Sequence, residues 1–253
     1  MSGYSVLVTR PMHQCDELAR RIRQVGGEPL IAPMLGVRAV TEGPKLATAL
    51  KKLDQYDIAI FVSRNAVEYL FDRLTADGRA FPDIPVYAVG LGTASQLKAR
   101  GIEKVITPRD TFNSEGLLEL TGLAIAKISG RSVVLFCGRG GRELLADVLT
   151  TRGANVTVCE VYERFVPDTK LANVVNGQTP DAAVVTSLEG LKNLADKIAD
   201  ESLESLYDMP LFVASERIAE EVPKLGFTSE PQIIDQPGDH RIVSALVEWA
   251  GGA

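Results

Sequence analysis

The sequence predicts an α/β protein of two similar doubly wound parallel-sheet domains, a duplicated unit with a cleft between its two copies. Three observations carry that expectation. Short apolar runs alternate with helical patterns along the chain, as they do where helices cover both faces of a parallel sheet. One stretch, Arg131 to Phe165, shows the alternation in its most compact form. A set of landmarks also occurs twice, at offsets of 124 to 126 residues.

Within the compact stretch, Val133 to Phe136 is a continuous apolar run, the mark of a strand buried on both faces. Gly138, Gly140 and Gly141 follow as a turn. Leu144, Leu145, Val148 and Leu149 then fall at helical spacing, from about Glu143 to Thr151, before Gly153. Val156 to Val161 is a second strand, running into Tyr162, Glu163 and Arg164. Strand, glycine turn, helix, strand is a βαβ unit.

The rest of the chain reads the same way. Val6 to Thr9 is a strand, Gln14 to Val25 a helix, and Glu28 to Ala32 a strand closed by Pro33. Gly36 to Pro44 reads as a connection. Strands follow at Ile58 to Val62, Val86 to Val89 and Ile102 to Ile106. The helices between them begin at Ala66 and after Gly90-Leu91-Gly92-Thr93. Ser114 is expected to cap a helix from Glu115 to Lys127. The repeat pairs Gly27 with Gly153 and Leu18 with Leu144 at 126 residues. It pairs Asp57 to Ser63 with Asp181 to Ser187 at 124, and Pro85 with Pro210 and Gly101 with Gly226 at 125.

Length and composition set bounds. The 253 residues suit two α/β domains of roughly 120 residues each. A net charge of −6 argues against nucleic acid or an anionic membrane as partner. Cys15, Cys137 and Cys159 lack metal-ligand spacing and fit buried thiols in a reducing compartment. His13 and His240 sit apart, so no metal is expected. With no apolar run of membrane-spanning length and no signal-peptide core, a soluble cytoplasmic monomer is expected.

The strand-end turns carry the chemistry. They read Thr9-Arg10-Pro11, Ser63-Arg64-Asn65, Gly90-Leu91-Gly92-Thr93, Cys137-Gly138-Arg139-Gly140-Gly141, Thr186-Ser187 and Ala214-Ser215-Glu216-Arg217. Each taken singly is an ordinary helix cap. Together they offer backbone N–H groups, hydroxyls and arginines to a ligand with several anionic groups. Arg139 could equally pair with a neighbouring carboxylate. Two further readings stand beside this one. A two-domain protein could bind an anionic small molecule without changing it. An α/β enzyme could instead use a nucleotide at Gly138, although the glycine spacing is not G-x-G-x-x-G. From spacing alone, Tyr162 reads as an interface aromatic.

Several of these segments resemble the uroporphyrinogen-III synthase family. They are Val8-Thr9-Arg10-Pro11, Pro33, Phe61 through Val67, Val89-Gly90-x-Gly92-Thr93-Ala94, Arg139-Gly140-Gly141-Arg142 through Leu145, and Val161-Tyr162-x-Arg164. Thr186-Ser187-x-x-Gly190-Leu191 and Val213-Ala214-Ser215-x-Arg217-Ile218-Ala219 extend the resemblance over essentially the whole chain.

The repeat alone suggests two consecutive domains cut near Lys127 to Arg131. The resemblance implies a crossed arrangement instead, with residues 1–37 and 167–253 in one domain and 42–161 in the other. A two-stranded linker, about 37–42 and 161–167, would join them. It further implies cyclisation of hydroxymethylbilane to uroporphyrinogen III, with loss of water, inversion of ring D and no cofactor. Tyr162 becomes the candidate catalytic proton donor. Arg10, Ser63, Arg64, Asn65, Gly92, Thr93, Gly138, Arg139, Gly140, Thr186, Ser187, Ser215 and Arg217 become candidate substrate-binding residues. Ser215-Glu216-Arg217 departs from the family's Gly-x-Thr turn. A transient contact with the bilane-forming enzyme is the one protein partner this reading admits.

Overall fold

The apolar runs become the central strands of two sheets, and within each sheet these strands pair in parallel. In the computed structural model, residues 1–41, 44–141, 143–235 and 238–252 are described. Glu42, in the expected linker, and Arg142, in one family motif, lie outside them. The chain begins with β1 (Ser5–Val8), α1 (Met12–Gln24), β2 (Glu28–Ile31), β3 (Gly36–Ala39) and α2 (Pro44–Lys51). It continues through β4 (Ile58–Phe61), α3 (Arg64–Ala76), β5 (Val86–Ala88), α4 (Leu91–Ala99) and β6 (Val105–Ile106). Two short helices follow, α5 (Ser114–Leu118) and α6 (Ile125–Ile128), and then β7 (Ser132–Gly138), α7 (Leu144–Thr151) and β8 (Asn155–Phe165). The last part holds α8 (Leu171–Val175), β9 (Ala182–Val185), α9 (Leu188–Asp200), β10 (Leu211–Val213), α10 (Glu216–Ala219), β11 (Gln232–Ile233) and α11 (Asp239–Gly252).

Two compact units result: Met1–Val37 with Phe165–Ala253, and Arg38–Arg164. One sheet has the order β11-β10-β9-β1-β2, the other β6-β5-β4-β7-β8-β3. A cut near Lys127 to Arg131 would separate β7 from β4, which pair from Ile58↔Val133 to Phe61↔Phe136. The consecutive-domain reading is therefore wrong, because β1 and β2 complete their sheet with strands from the far end of the chain. Replacing β1, β2, β9, β10 and β11 by β7, β8, β4, β5 and β6 converts the first order into five strands of the second, with β3 added at its edge.

The local offset needs one adjustment. The left-handed turns that end α1 and α7 fall on Gly26 and Gly153, at φ of 85° and 86°. Gly153 therefore matches Gly26 rather than Gly27. On that register Leu18 matches Leu145, and both are buried.

Alternate side chains of each strand serve opposite faces. Val6, Val8, Ala182 and Val184 pack with Leu18 and Ile22 of α1 and with Ile242 and Leu246 of α11. Leu7, Ala183 and Val185 pack on the other face with Leu191, Leu194 and Ile198 of α9. In the second unit, Ile58, Ile60, Val133 and Leu135 meet Leu145 and Leu149 of α7. Phe61 turns the opposite way and lies 4.9 Å, centroid to centroid, from the ring of Phe136. Each such buried side chain contributes about 1.5–3 kcal/mol.

Parallel strands have no hairpin to set their register, and here an Asp–Ser pair does so in each unit. Asp57 Oδ2 accepts the Ser132 N–H at 2.8 Å, while the Asp57 N–H donates to the Ser132 carbonyl at 2.8 Å. In the other unit Asp181 Oδ2 accepts the Ser5 N–H at 2.7 Å, and the Asp181 N–H donates to the Ser5 carbonyl at 3.0 Å.

Three expectations are corrected. The helix expected over Glu115 to Lys127 is two short helices flanking a 3₁₀ turn at Thr121–Leu123. Arg152 donates to the carbonyls of Leu118 and Leu123, at 2.7 and 2.8 Å, and so takes acceptors that a continuous helix would use. Its cap is Asn113, whose side chain accepts the Gly116 N–H, rather than Ser114. The connection Gly36 to Pro44 contains β3, which lies beside β8.

The Ser132 N–H, and then Arg131, hold the Asp57 carboxyl below its ordinary pKa. A carboxyl depressed on folding stabilises above its unfolded pKa of about 3.9 and loses that effect as pH falls through the folded value. Asp57→Asn is therefore expected to lower the melting temperature at pH 7, with the gap to wild type closing below about pH 4. Thermal melts across pH 3 to 8 check this; a gap independent of pH would exclude the ionised carboxylate as its source.

Candidate functional site

The carboxyl ends of the strands gather most of the predicted residues, in two groups, one per unit. In the second unit β4 ends at Phe61, and the chain turns through Val62 and Ser63 into α3. Ser63 is extended, and its Oγ accepts the Ala66 N–H at 3.1 Å, capping the helix. Arg64 and Asn65 are the first residues of α3, with Arg64 exposed. Gly90 caps α4 with backbone alone. Gly92 is exposed and Thr93 is buried within the first turn. A Cβ on Gly92 would lie 3.5 Å from Cδ of Arg64, so the arginine stem crosses this turn.

Gly138 is read from sequence as a turn residue. It is instead the last residue of β7, and its missing side chain makes room for Tyr162. A register shift between Cys137 and Gly138 moves the pairing from Cys137↔Glu160 to Gly138↔Tyr162. A Cβ at Gly138 would stand 2.5 Å from Cζ and 2.8 Å from the phenol oxygen of Tyr162. Tyr162 is 4% exposed. Ser63 donates its hydroxyl to the phenol oxygen at 3.1 Å. Tyr69 of α3 stacks on the ring at 6.0 Å and 23°, and burial pushes the Tyr69 phenol above its ordinary pKa. Sequence reasoning missed Tyr69, because its partner comes from a distant strand and nothing local signals the contact.

Arg139 is exposed and faces carboxylates. It pairs with Glu163, and its Nε stands 3.7 Å from Glu160. Glu163 also accepts from Arg38 at 2.7 Å, and the Arg38 hydrogen bond, with Arg139 adding, holds its carboxyl below the ordinary value. The Gly140 N–H points at Glu160 Oε1, 3.3 Å away. A nucleotide at Gly138 is poorly served here. The space above the glycine holds a tyrosine ring, and the N-cap of α7 is an acidic residue, Glu143.

In the first unit Ser187 repeats the Ser63 cap, its Oγ accepting the Gly190 N–H at 3.0 Å. Thr186 precedes it, half-buried. Ser215 precedes α10 without a side-chain cap, and Arg217 is exposed. Arg10 is half-buried and ion-paired to Asp239 at the start of α11. The three cysteines are buried and free, and burial raises all three thiols, Cys159 to about 12. Among the described residues, no helix is long and apolar enough to cross a membrane, and no cluster of three metal-ligating side chains occurs.

The fold and site define a two-unit parallel α/β protein whose polar groups converge at strand ends. Residues 16–235 match the family model of uroporphyrinogen-III synthase HemD. The chain is 33% identical to the uroporphyrinogen-III synthase of Escherichia coli K12 over 247 residues, 96% of this chain and 99% of that one. A putative uroporphyrinogen-III synthase of Methanothermobacter thermautotrophicus is 33% identical over 211 residues, covering 80% of each chain. A crystal structure of a mutant uroporphyrinogen III synthase from Thermus thermophilus shares the fold with a TM-score of 0.66. The identity is 14%, and the match covers 99% of this chain and 100% of that one. The protein belongs to the uroporphyrinogen-III synthase family.

Gly138→Ala is expected to displace the Tyr162 ring and cost about 1–3 kcal/mol, the usual cost of overpacking a closed site. Urea unfolding measures this. A midpoint equal to wild type would mean the ring has room to move.

Proposed function

We propose that the protein is a uroporphyrinogen-III synthase that cyclises hydroxymethylbilane, a linear tetrapyrrole with eight carboxylates. The observation that carries this is the 33% identity to the Escherichia coli synthase across 96% of the chain. In the proposed reaction the terminal hydroxyl leaves as water, giving an azafulvene cation. The cation attacks the substituted carbon of ring D, and the spiro intermediate fragments and recloses with ring D inverted. Bilane goes to macrocycle plus water, with no net oxidation or reduction, and this reading assigns no cofactor and no metal. It places the enzyme in the cytoplasm as a monomer.

The protein's contribution in this reading is geometric selection. Without it, closure at the unsubstituted carbon gives the type I isomer. Strand-end hydroxyls and N–H groups hold carboxylates, with Thr93, Ser187 and the turns at Gly92, Thr186 and Ser215 as donors. Arg64 and Arg217 are exposed cations on those turns. Tyr162 donates a hydrogen bond to the departing hydroxyl. A phenol is a weak acid, so it assists by position rather than by releasing a free proton.

Two outcomes are expected. Fresh hydroxymethylbilane mixed with the protein yields mostly type III uroporphyrin after oxidation and chromatography. Type I alone, at the rate seen without protein, would overturn the reading. Tyr162→Phe slows type III formation by roughly tenfold to a thousandfold, since a positioned general acid is usually worth about 10²–10⁴; an unchanged rate removes Tyr162 from the chemistry.

A further inference from the structure

Ser63 and Ser187 are matched by the repeat and do the same work for their helices, each capping with its hydroxyl oxygen. Their protons differ. A serine hydroxyl has one proton and two lone pairs. At Ser63 one lone pair takes the Ala66 N–H, and the proton goes to the phenol oxygen of Tyr162 at 3.1 Å. No donor is left for a substrate carboxylate unless the phenol is released. At Ser187 the oxygen takes the Gly190 N–H, and no acceptor for its proton stands among the described residues.

With Ser63 as the donor of this O–H···O pair, the phenol oxygen accepts and its own proton is the outgoing one. The ring cannot swing to escape this. Gly138 closes one side at a distance that excludes even a methyl group, and Tyr69 stacks on the ring. The Arg139 N–H holds the Tyr162 carbonyl at 2.8 Å. We infer that Ser63 is a positioning residue, which aims the Tyr162 proton toward the substrate rather than holding a substrate carboxylate. Of the repeated serine pair, only Ser187 binds a carboxylate. The inference rests on the reading of Tyr162 as proton donor.

The test combines a double-mutant cycle with a signal that needs no turnover. Protein labelled with ¹³C at tyrosine Cζ gives signals from six tyrosines, and Tyr162 is assigned by its loss in Tyr162→Phe. Ser63→Ala is expected to shift the Tyr162 signal, and Ser63→Thr, which keeps both contacts, to restore it. Ser63→Asp keeps a capping oxygen but has no proton to donate, so it is expected to shift the signal while preserving the fold.

In kinetics, Ser63→Ala is expected to lower kcat for type III formation roughly tenfold, the factor of one ordinary hydrogen bond. Its KM is expected to change little. Added to Tyr162→Phe, it is expected to cost less than about twofold more, because residues acting as one unit are not additive. A Tyr162 signal unmoved in both Ser63→Ala and Ser63→Asp overturns the inference. So does a full multiplication of the two kinetic losses with a raised KM, which is the pattern of an independent carboxylate holder. If Tyr162→Phe alone ran at the wild-type rate, the proton-donor reading would fail separately, and the tyrosine signal would still decide whether Ser63 holds the ring.

Discussion

Register between parallel strands is the constraint on which the rest depends. A parallel pair can slide along its length unless something pins one end, and a slip of one residue turns every side chain to the other face. The reciprocal Asp57–Ser132 and Asp181–Ser5 bonds pin the amino ends of the central strands. With Ile58 opposite Val133, the pairing runs through to Phe61 opposite Phe136. Ser63 and Gly138 then leave the sheet close together. The shift at Cys137/Gly138 next brings Tyr162 beside Gly138, where the Ser63 hydroxyl meets it. A contact among three residues at the carboxyl ends is thus tied, through the register, to the Asp–Ser bonds at the amino ends.

Charge at the strand ends is arranged differently from what an acidic protein binding a polyanion suggests at first. Of the four arginines proposed as an attracting field, Arg10 is paired to Asp239 and Arg139 to Glu163. Arg64 and Arg217 are exposed. Exposed ion pairs are individually worth about 0–1 kcal/mol, so the Arg139 pairing does not bar exchange of partners. The half-buried Arg10 pair ties β1 to the C-terminal helix and reads first as structural. Under the proposed function, oriented N–H groups and hydroxyls would therefore carry more of the anion recognition than the arginine count implies.

Much of this was legible in the sequence because strands buried on both faces must be apolar throughout. Val133 to Phe136 and Ile58 to Val62 are unmistakable for that reason. The repeat was legible because both units meet the same packing demands, although it took the Gly26 and Gly153 conformations to correct one offset. Other features were hidden because their cause is distant. The broken helix after Ser114 depends on Arg152 reaching back to its carbonyls. Gly138 looks like any turn glycine until Tyr162 is placed across from it. Tyr162 itself gave no sign of burial, since its enclosure by Gly138 and Tyr69 exists only once β8 and α3 have met the same strand.

The order of strands has a consequence for how the chain is made. Arg38–Arg164 is one continuous segment, and all of its unit is present once β8 has left the ribosome. The first three elements must instead wait for β9, which pairs with β1 across more than two thirds of the sequence. At ordinary synthesis rates that wait is on the order of ten seconds or more. During it β1 lacks its central neighbour and leaves an apolar edge open, which is a hazard for any unpaired strand. The segment holding β1, α1 and β2 is thus synthesised before the second unit and completed after it.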